Sequence, residues 1–441
     1  MSRYRATIGV CCLGRYTYDV AAALEIYERA KADLASIDDV DWVVIDEPVI
    51  EKADAAAAAE RFRAAGVDGA AIISGTFHLG HLAPTIERAV GKPVLLWAFR
   101  ELPYNGGKIR LNSVCGMNLN ASNLYKSGCA DYCTCVSDVI DRDWVDAIRM
   151  KSAIEGAHVG LAGFRADGFF NLSTDELAMF RRTGVLLDHY ELSELFPAPE
   201  DDPSGFKSDL LGTFDVSGIT GAQLDKVAAL CAGTRRFLDE KKLDALAIRC
   251  WPEFARDYGV APCAMMSLLQ SDGRVLACEG DVEGALSMLA AKACGVEAPF
   301  LADLSQVDFG DDFALLWHCG VAPSCLADGK SICSLDTYFA GGKGVTAGFV
   351  MKDGDFDLIR IDTALGRTRV FLARGTAVPM EKQLTGTYAK VRFNGCSVKE
   401  LLDTVLDNGV AHHVAMCYGS HMPAFLKFAR VMGWEVVRCG G

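Results

Sequence analysis

The stretch VLACEGDVEGALSML, residues 275–289, contains an apolar strand that runs into a helix. We expect the strand to cover Val275–Cys278 and the helix to cover Gly284–Ala293. Glu279 and Asp281 stand between them, and the carboxyl end of a strand is the usual location of ligands and catalysts in open α/β sheets. In an extended segment two acids at this spacing share one face. Asp281 is equally suited to cap the helix, because aspartate is among the favoured N-cap residues.

Residues 1–150 alternate between strand and helix patterns, which predicts a parallel, doubly wound sheet. The predicted strands are Ala6–Cys11, Asp41–Ile45, Gly69–Ser74 and Pro93–Ala98. Arg15 follows the first of them, His78 the third and Arg100 the fourth. Since ligands bind at the carboxyl edge of such sheets, these residues are candidates for a binding site. Each of them is equally compatible with an ordinary surface loop.

Residues 151–300 predict a second α/β domain, which ends in the opening stretch. We expect the charged, helical segment Val136–Ile154 to link the two domains. The strand Ala157–Ala162 is followed by the turn GFRADGF, residues 163–169. This turn lacks the G-x-G-x-x-G spacing, so a nucleotide-binding enzyme is disfavoured.

Residues 301–441 change to a β-rich pattern with Asp-Gly and Asn-Gly turns, which predicts an antiparallel barrel or sandwich. The predicted strands are Phe313–His318, Thr346–Met351, Phe356–Thr363, Arg367–Ala373 and Lys390–Phe393. The expected fold class is therefore α/β, with two doubly wound parallel-sheet domains followed by a C-terminal β-rich, barrel-like domain. His412 and His413 begin a short apolar strand near the end of the chain. Imidazole is the commonest metal ligand, although a histidine is more often an ordinary core or surface residue.

Composition limits the classes of function. The formal charge of -14 argues against binding to nucleic acid, which needs clustered Lys and Arg. We find no apolar run long enough to span a membrane and no signal-peptide pattern, so we expect a cytoplasmic protein. The 17 cysteines favour buried thiols over a disulfide framework. Their tightest group in sequence, Cys129, Cys133 and Cys135, does not match a standard metal spacing.

Three segments together resemble the L-fucose/L-arabinose isomerase family, in its compact fucose-isomerase-like branch: ACEGDVEGALSML, LLWHCGVAP and AHHVAMCYGSH. The family interconverts aldoses and ketoses with a divalent metal ion, usually Mn²⁺, held by two carboxylates and a histidine. The resemblance implies that Asp281 and His413 are metal ligands. The family's other carboxylate is a glutamate earlier in the chain, for which the candidates here are Glu253, Glu279 and Asp257, in that order.

The resemblance implies a metal-dependent aldose–ketose isomerase that acts through an enediol or enediolate. Asp281, with Glu253 or Glu279, would be the acid–base pair, because the reaction moves protons on carbon and on oxygen. Candidate substrate-binding residues are Arg15, His78, Arg100, His318 and His412. The arginines favour an anionic sugar such as a sulfonated hexose, while a deoxy sugar or a pentose stays open. The resemblance also implies a homo-oligomer.

A non-catalytic cytoplasmic sugar-binding protein is the main alternative, since two α/β lobes suit both functions. Such proteins are mostly exported, and we see no export signal. The metal content of the purified protein separates these classes, because the isomerase chemistry needs a metal ion at the acids and histidines.

Overall fold

The computed structural model describes residues 3–338 and 342–440, which divide into two compact units. The first unit contains the described residues up to Ser152 together with Pro423–Trp434. The second unit contains Ala153–Met422 and the described residues from Glu435 onward. The second unit thus contains the predicted middle α/β segment. It also contains most of the predicted β-rich segment.

The first unit is a five-stranded parallel sheet with helices between its strands. Its elements are β1 (Ala6–Leu13), α1 (Val20–Leu34), β2 (Val40–Val44), α2 (Lys52–Ala65), β3 (Gly69–Ser74), α3 (Leu82–Val90), β4 (Val94–Ala98), α4 (Ser113–Lys126), β5 (Cys133–Val136) and α5 (Arg142–Ile154). The strand order is β2-β1-β3-β4-β5, and every neighbouring pair is parallel. The doubly wound sheet predicted from the alternating pattern is therefore confirmed.

The segment Val136–Ile154 contains the boundary between the two units, which falls after Ser152. Most of it is α5, whose residues Trp144, Val145 and Ile148 are buried in the core of the first unit. These three side chains share one face, since residues three and four apart are neighbours on a helix. The predicted connection is therefore a helix that packs into the first unit, and its last two residues, Ala153 and Ile154, belong to the second unit.

The second unit begins with a four-stranded parallel sheet. Its elements are β6 (His158–Ala162), α6 (Glu176–Thr183), β7 (Leu186–Tyr190), α7 (Ser204–Thr213), α8 (Gly221–Lys241), β8 (Ala245–Ile248), α9 (Cys263–Ser271), β9 (Leu276–Cys278) and α10 (Val282–Ala293). The strand order is β7-β6-β8-β9. The opening stretch thus supplies an edge strand and a helix, and α10 begins two residues earlier than predicted because Asp281 caps it.

The β-rich part forms a closed barrel. Its elements are β10 (Phe300–Asp308), β11 (Phe313–His318), β12 (Ser334–Asp336), β13 (Thr346–Val350), β14 (Gly354–Ala364), β15 (Arg367–Val378), β16 (Thr387–Phe393), α11 (Val398–Asp407), β17 (His413–Tyr418) and β18 (Glu435–Cys439). Helix α12 (Met422–Val431) lies between β17 and β18 in the sequence but, apart from Met422, belongs to the first unit. The strands run in the order β16-β11-β10-β17-β14-β15, and β15 also pairs with β16. This last pairing closes the ring, so the predicted barrel-like domain is confirmed.

One hydrophobic core connects the parallel sheet of the second unit to the barrel. Ile248 and Cys278 from the sheet belong to the same buried cluster as Phe300, Leu316 and Met416 from the barrel. The carboxyl end of β9 and the beginning of β17 are therefore held by continuous packing. Among the described residues, no helix is long and apolar enough to cross a membrane.

Candidate active site

The turn Glu279-Gly280-Asp281 is sharply bent. Glu279 has φ 63° and Gly280 has φ 74°, both in the left-handed region. The expectation that Glu279 and Asp281 share one face of an extended segment is therefore wrong. A left-handed conformation costs a residue with a side chain roughly 1–2 kcal/mol, so the surrounding packing must hold Glu279 in place. A Cβ at Gly280 would lie 2.5 Å from the Phe164 carbonyl oxygen, which explains the glycine.

Asp281 caps α10 and also accepts hydrogen bonds from Arg360 and His413. Its Oδ1 accepts from the Gly284 N–H at 2.8 Å and from Arg360 Nη2 at 3.1 Å. Its Oδ2 accepts from Arg360 Nη1 at 2.6 Å and from His413 Nδ1 at 2.9 Å. Four donors occupy the lone pairs of this fully buried carboxylate.

The electrostatics of Asp281 follow from these contacts. Burial alone would raise its pKa, but the charge of Arg360 and the hydrogen bond from His413 outweigh burial and lower the pKa well below its usual range. A carboxylate this firmly ionised is a poor proton carrier at neutral pH. In this arrangement Asp281 orients His413, and its assignment as a metal ligand and acid–base group stays a prediction.

His413 presents one nitrogen lone pair to the site. It is fully buried at the beginning of β17, and it pairs in register with Asp303 of β10. Because a carboxylate only accepts, Nδ1 of His413 carries the hydrogen bonded to Asp281, which leaves the lone pair of the neutral ring on Nε2. That nitrogen lies 3.3 Å from Glu279 Oε2 and 3.5 Å from Asp303 Oδ1. It forms a hydrogen bond with neither oxygen.

Two neighbouring histidines have the opposite tautomer. Nδ1 of His412 accepts from the Asn171 amide at 2.9 Å, and Nδ1 of His318 accepts from the Cys319 backbone N–H at 2.8 Å. In both rings the hydrogen is therefore on Nε2. The Nε2 atom of His318 is buried without a hydrogen-bond partner, and Nε2 of His412 lies 3.6 Å from Glu279. Both rings can donate to oxygen atoms, which suits their predicted role in substrate binding.

The charge of the cluster favours a cation. Burial alone would raise the pKa of Glu279, but the neighbouring imidazoles of His412 and His413 outweigh burial and lower it to about 2. Burial would lower the pKa of His413, but Asp281 and Glu279 reverse this and raise it. The electrostatics of the site thus favour a positive charge, whether a proton or a metal ion.

These residues fit a divalent metal ion. Donor atoms of Glu279, His412 and His413 lie within 4.8 Å of one another, as do those of Asp303, His318 and His413. Nε2 of His413 and Oδ1 of Asp303 are buried acceptors without hydrogen-bond partners. Facing acceptors with no hydrogen between them need a cation, and mixed carboxylate and imidazole ligands suit the Mn²⁺ class of ions.

The other two candidate acids lie in the segment after β8. Glu253 Oε1 pairs with Arg249 at 3.1 Å, while its Oε2 is buried without a partner. Phe169 has its ring 6.2 Å from Trp251 and 5.3 Å from His412, so this segment and the histidines border the same loop. Asp257 is exposed and pairs with its neighbour Arg256 at 2.6 Å.

Three candidate substrate-binding residues belong to the first unit. Arg15 is partly exposed after β1, and Arg100 is exposed after β4, both at the predicted edge of the sheet. His78 is fully buried. Its Nδ1 donates to the Leu79 carbonyl at 3.2 Å, and its Nε2 faces Ser74 Oγ at 3.1 Å and Asn120 Nδ2 at 3.2 Å. Both ring nitrogens of His78 are thus engaged within the unit.

Two residues of the cluster were not among the sequence candidates. Asp303 lies in β10, a strand that the sequence patterns did not predict, so its position opposite His413 had no signal. Arg360 lies in the apolar run LIRI of β14, where it is fully buried. A lone arginine at a buried strand position requires an anionic partner, which is the signal that could have identified it.

Comparisons with known proteins identify the family of this chain. Residues 9–146 match the family model of the fucose/sulfoquinovose isomerase N-terminal domain, and residues 316–439 match that of the L-fucose isomerase C-terminal domain. A sulfoquinovose isomerase from Priestia megaterium is 25% identical over 438 residues, which cover 96% of this chain and 97% of the relative. The sulfoquinovose isomerase of Alkalicoccus urumqiensis is 25% identical over 367 residues, which cover 80% of this chain and 82% of the relative.

A solved structure of a different class gives a weak match. The solute-binding protein of an ABC transporter from Burkholderia multivorans is 11% identical, covers 66% of this chain and 96% of its own, and has a TM-score of 0.20. A similarity this low supports no argument about fold or function. The matched domain models instead cover both the first unit and the barrel, so this chain belongs to the fucose isomerase family of aldose–ketose isomerases.

Proposed function

We propose that the protein is a metal-dependent isomerase of an anionic, sulfonated hexose, and that it converts the aldose to the ketose through an enediolate. The observation that carries the metal dependence is the unpartnered, ligand-ready Nε2 of His413, which faces Glu279 at 3.3 Å and Asp303 at 3.5 Å. The substrate class rests on the relatives, which are named sulfoquinovose isomerases.

His413, Glu279 and Asp303 would hold the metal ion. Asp281 would not contact the ion but would fix the orientation of the His413 ring, as carboxylates commonly do for metal-binding histidines. A divalent ion bound there would supply Lewis-acid stabilisation of the negative charge on the two sugar oxygens, and Mn²⁺ is the ion we expect.

The protein's own groups would move the protons. In the reaction the C2–H proton leaves, a proton is added to C1, and the hydroxyl proton moves from O2 to O1. Glu253 is suited to move the proton between C2 and C1. Its Oε2 is buried without a hydrogen-bond partner among the described residues, while its Oε1 pairs with Arg249. His318 and His412 would donate their Nε2 hydrogens to sugar oxygens and so orient the substrate.

The anionic group needs cations. A sulfonate accepts charge-assisted hydrogen bonds, for which the planar guanidinium group is well suited. Arg15, which is partly exposed, and Arg100, which is exposed, stay our candidates because both follow strands at the carboxyl edge of the first unit's sheet.

The test is an isomerisation assay on protein stripped of metal by a chelator and then supplied with Mn²⁺. Sulfoquinovose, glucose and L-fucose would be compared by NMR detection of the ketose. We expect no turnover in the stripped protein, recovery with Mn²⁺, and a marked preference for the sulfonated sugar. Full activity after verified metal removal would refute the metal dependence. Tight binding of the sugar without any turnover would instead support the sugar-binding alternative.

A further inference from the structure

Four buried cysteines form a thiol cluster in the second unit: Cys250, Cys263, Cys278 and Cys319. The Cys250 and Cys278 sulfur atoms are 3.0 Å apart, and those of Cys263 and Cys319 are 3.8 Å apart. Cys319 also interacts with Cys278, so the thiols form one continuous chain.

The fold brings these residues together from separate elements. Cys278 ends β9, Cys250 follows the adjacent strand β8, Cys319 follows β11 and Cys263 begins α9. Each thiol is thus fixed by a strand end or a helix end rather than by a mobile loop.

The backbone around Cys319 is held by side chains on either side. The Tyr338 hydroxyl donates to the Cys319 carbonyl at 3.0 Å. Gln270 donates to the Val321 carbonyl at 2.8 Å, and Ser267 donates to the Ala322 carbonyl at 2.6 Å. These hydrogen bonds hold the backbone that carries the Cys319 thiol in place. A structural metal site needs ligands that are preorganised in this way.

An imidazole stands beside the thiols. His318 Nδ1 is 3.2 Å from the Cys319 sulfur, and donor atoms of Cys278, His318 and Cys319 lie within 4.8 Å of one another. We propose that this cluster is a second metal site, distinct from the carboxylate–imidazole site, and that it takes a thiophilic d¹⁰ cation, zinc. Cys278 and Cys319 are its central ligands, and Cys250 and Cys263 are the groups from which its coordination is completed.

Ligand chemistry separates the two sites. Thiolates are soft ligands that select zinc, whereas carboxylates with imidazole suit Mn²⁺. In tetrahedral thiolate sites the Zn–S distance of about 2.3 Å places the sulfur atoms roughly 3.8 Å apart. The Cys263–Cys319 separation of 3.8 Å already matches this spacing, and the Cys250–Cys278 separation of 3.0 Å would have to widen.

The proposed zinc site lies next to active-site residues in the sequence. Cys278 directly precedes Glu279, and Cys319 directly follows His318. An ion bound between these thiols would tie together two of the chain segments that present active-site groups.

The test uses the full-length protein, purified under reducing conditions. Elemental analysis should find close to one zinc ion per chain after a chelator has removed manganese. Cd²⁺ should then give a thiolate-to-metal charge-transfer absorption, which the carboxylate–imidazole site cannot produce. In Cys278→Ser and Cys319→Ser the absorption should be lost or strongly reduced. Cys231→Ser changes a buried thiol in α8 and is the matched control, which should retain it.

A variant that fails to fold leaves the wild-type measurement decisive. The ¹¹³Cd NMR spectrum of wild-type protein should contain a resonance in the thiolate range, well separated from any signal of an oxygen- and nitrogen-ligated ion. The absence of such a resonance and of the absorption would overturn the proposal. So would an absorption that survives in both cysteine variants, or a Cys250–Cys278 disulfide in protein purified with reductant.

Discussion

Oδ2 of Asp281 lies 2.9 Å from Nδ1 of His413, and both side chains are fully buried. This contact fixes the tautomer of His413 and points the lone pair of Nε2 towards Glu279 and Asp303. The helix-cap role of Asp281 and its role in the active site are therefore served by one carboxylate.

We predict that Asp281→Asn loses both stability and metal affinity. Asparagine still caps α10, but the buried Arg360 loses the nearer of its two anionic partners and keeps only Asp362 at 3.7 Å. Removal of one partner of a buried ion pair typically costs about 3–5 kcal/mol. Loss of the group that orients a metal-binding histidine typically weakens metal affinity about 10–100-fold. Thermal unfolding and metal titration would measure the two effects.

Asp175→Asn is the matched control for this variant. Asp175 caps α6 by accepting from the Ala178 N–H at 3.0 Å, and it is exposed. Because asparagine caps about as well as aspartate, this change should alter stability by less than about 0.5 kcal/mol. An Asp281→Asn variant as stable as the control would contradict the role of the Arg360 pair.

We predict that Glu279→Gln and Glu253→Gln fail in different ways. Glu279→Gln should lose bound Mn²⁺, because it removes an anionic ligand. Glu253→Gln should retain the ion but lose about 10²–10⁴-fold in kcat, the usual cost of one acid–base group. Metal analysis beside steady-state kinetics would separate them, with exposed Glu25→Gln in α1 as the control. Loss of metal in Glu253→Gln with retention in Glu279→Gln would reverse the two assignments.

We predict that Arg15→Gln and Arg100→Gln impair binding of the sulfonated sugar selectively. A hydrogen bond to a charged group contributes roughly 1.5–3 kcal/mol, so KM for the sulfonated sugar should rise about 10–100-fold. KM for a neutral aldose should hardly change, and Arg61→Gln on the exposed face of α2 should affect neither. An equal rise in KM for charged and neutral sugars would show that these arginines do not bind the sulfonate group.

We predict that His78 makes the first unit less stable in mild acid. Burial lowers the pKa of His78 to about 4, below the usual value of 6.5. Between these values the unfolded chain binds a proton that the folded chain does not, so this contribution to stability falls as pH decreases from 6.5 towards 4. The measurement is the unfolding midpoint of wild type and His78→Gln at pH 7.5 and pH 5. If the two proteins lose equal stability over this range, His78 is not the responsible group.

Sequence patterns predicted the architecture and the two segments that meet in the site. Glu279, Asp281 and His413 could be found because strand ends, capping preference and family motifs identify them locally. The division of labour between Glu279 and Asp281 could not be predicted, because it depends on the left-handed turn at Glu279 and on Arg360 from β14. Asp303 was missed for a similar reason, since its importance arises only from its register opposite His413.

The most direct test of the account is whether His413 is the histidine that binds the metal ion. Pulsed EPR of Mn²⁺-loaded protein with ¹⁵N-labelled histidine would detect nitrogen coupled to the ion. We predict coupling to a single histidine nitrogen, which is lost in His413→Gln and retained in His412→Gln. Coupling that survives in His413→Gln, or the absence of histidine coupling in active wild-type protein, would contradict the central claim.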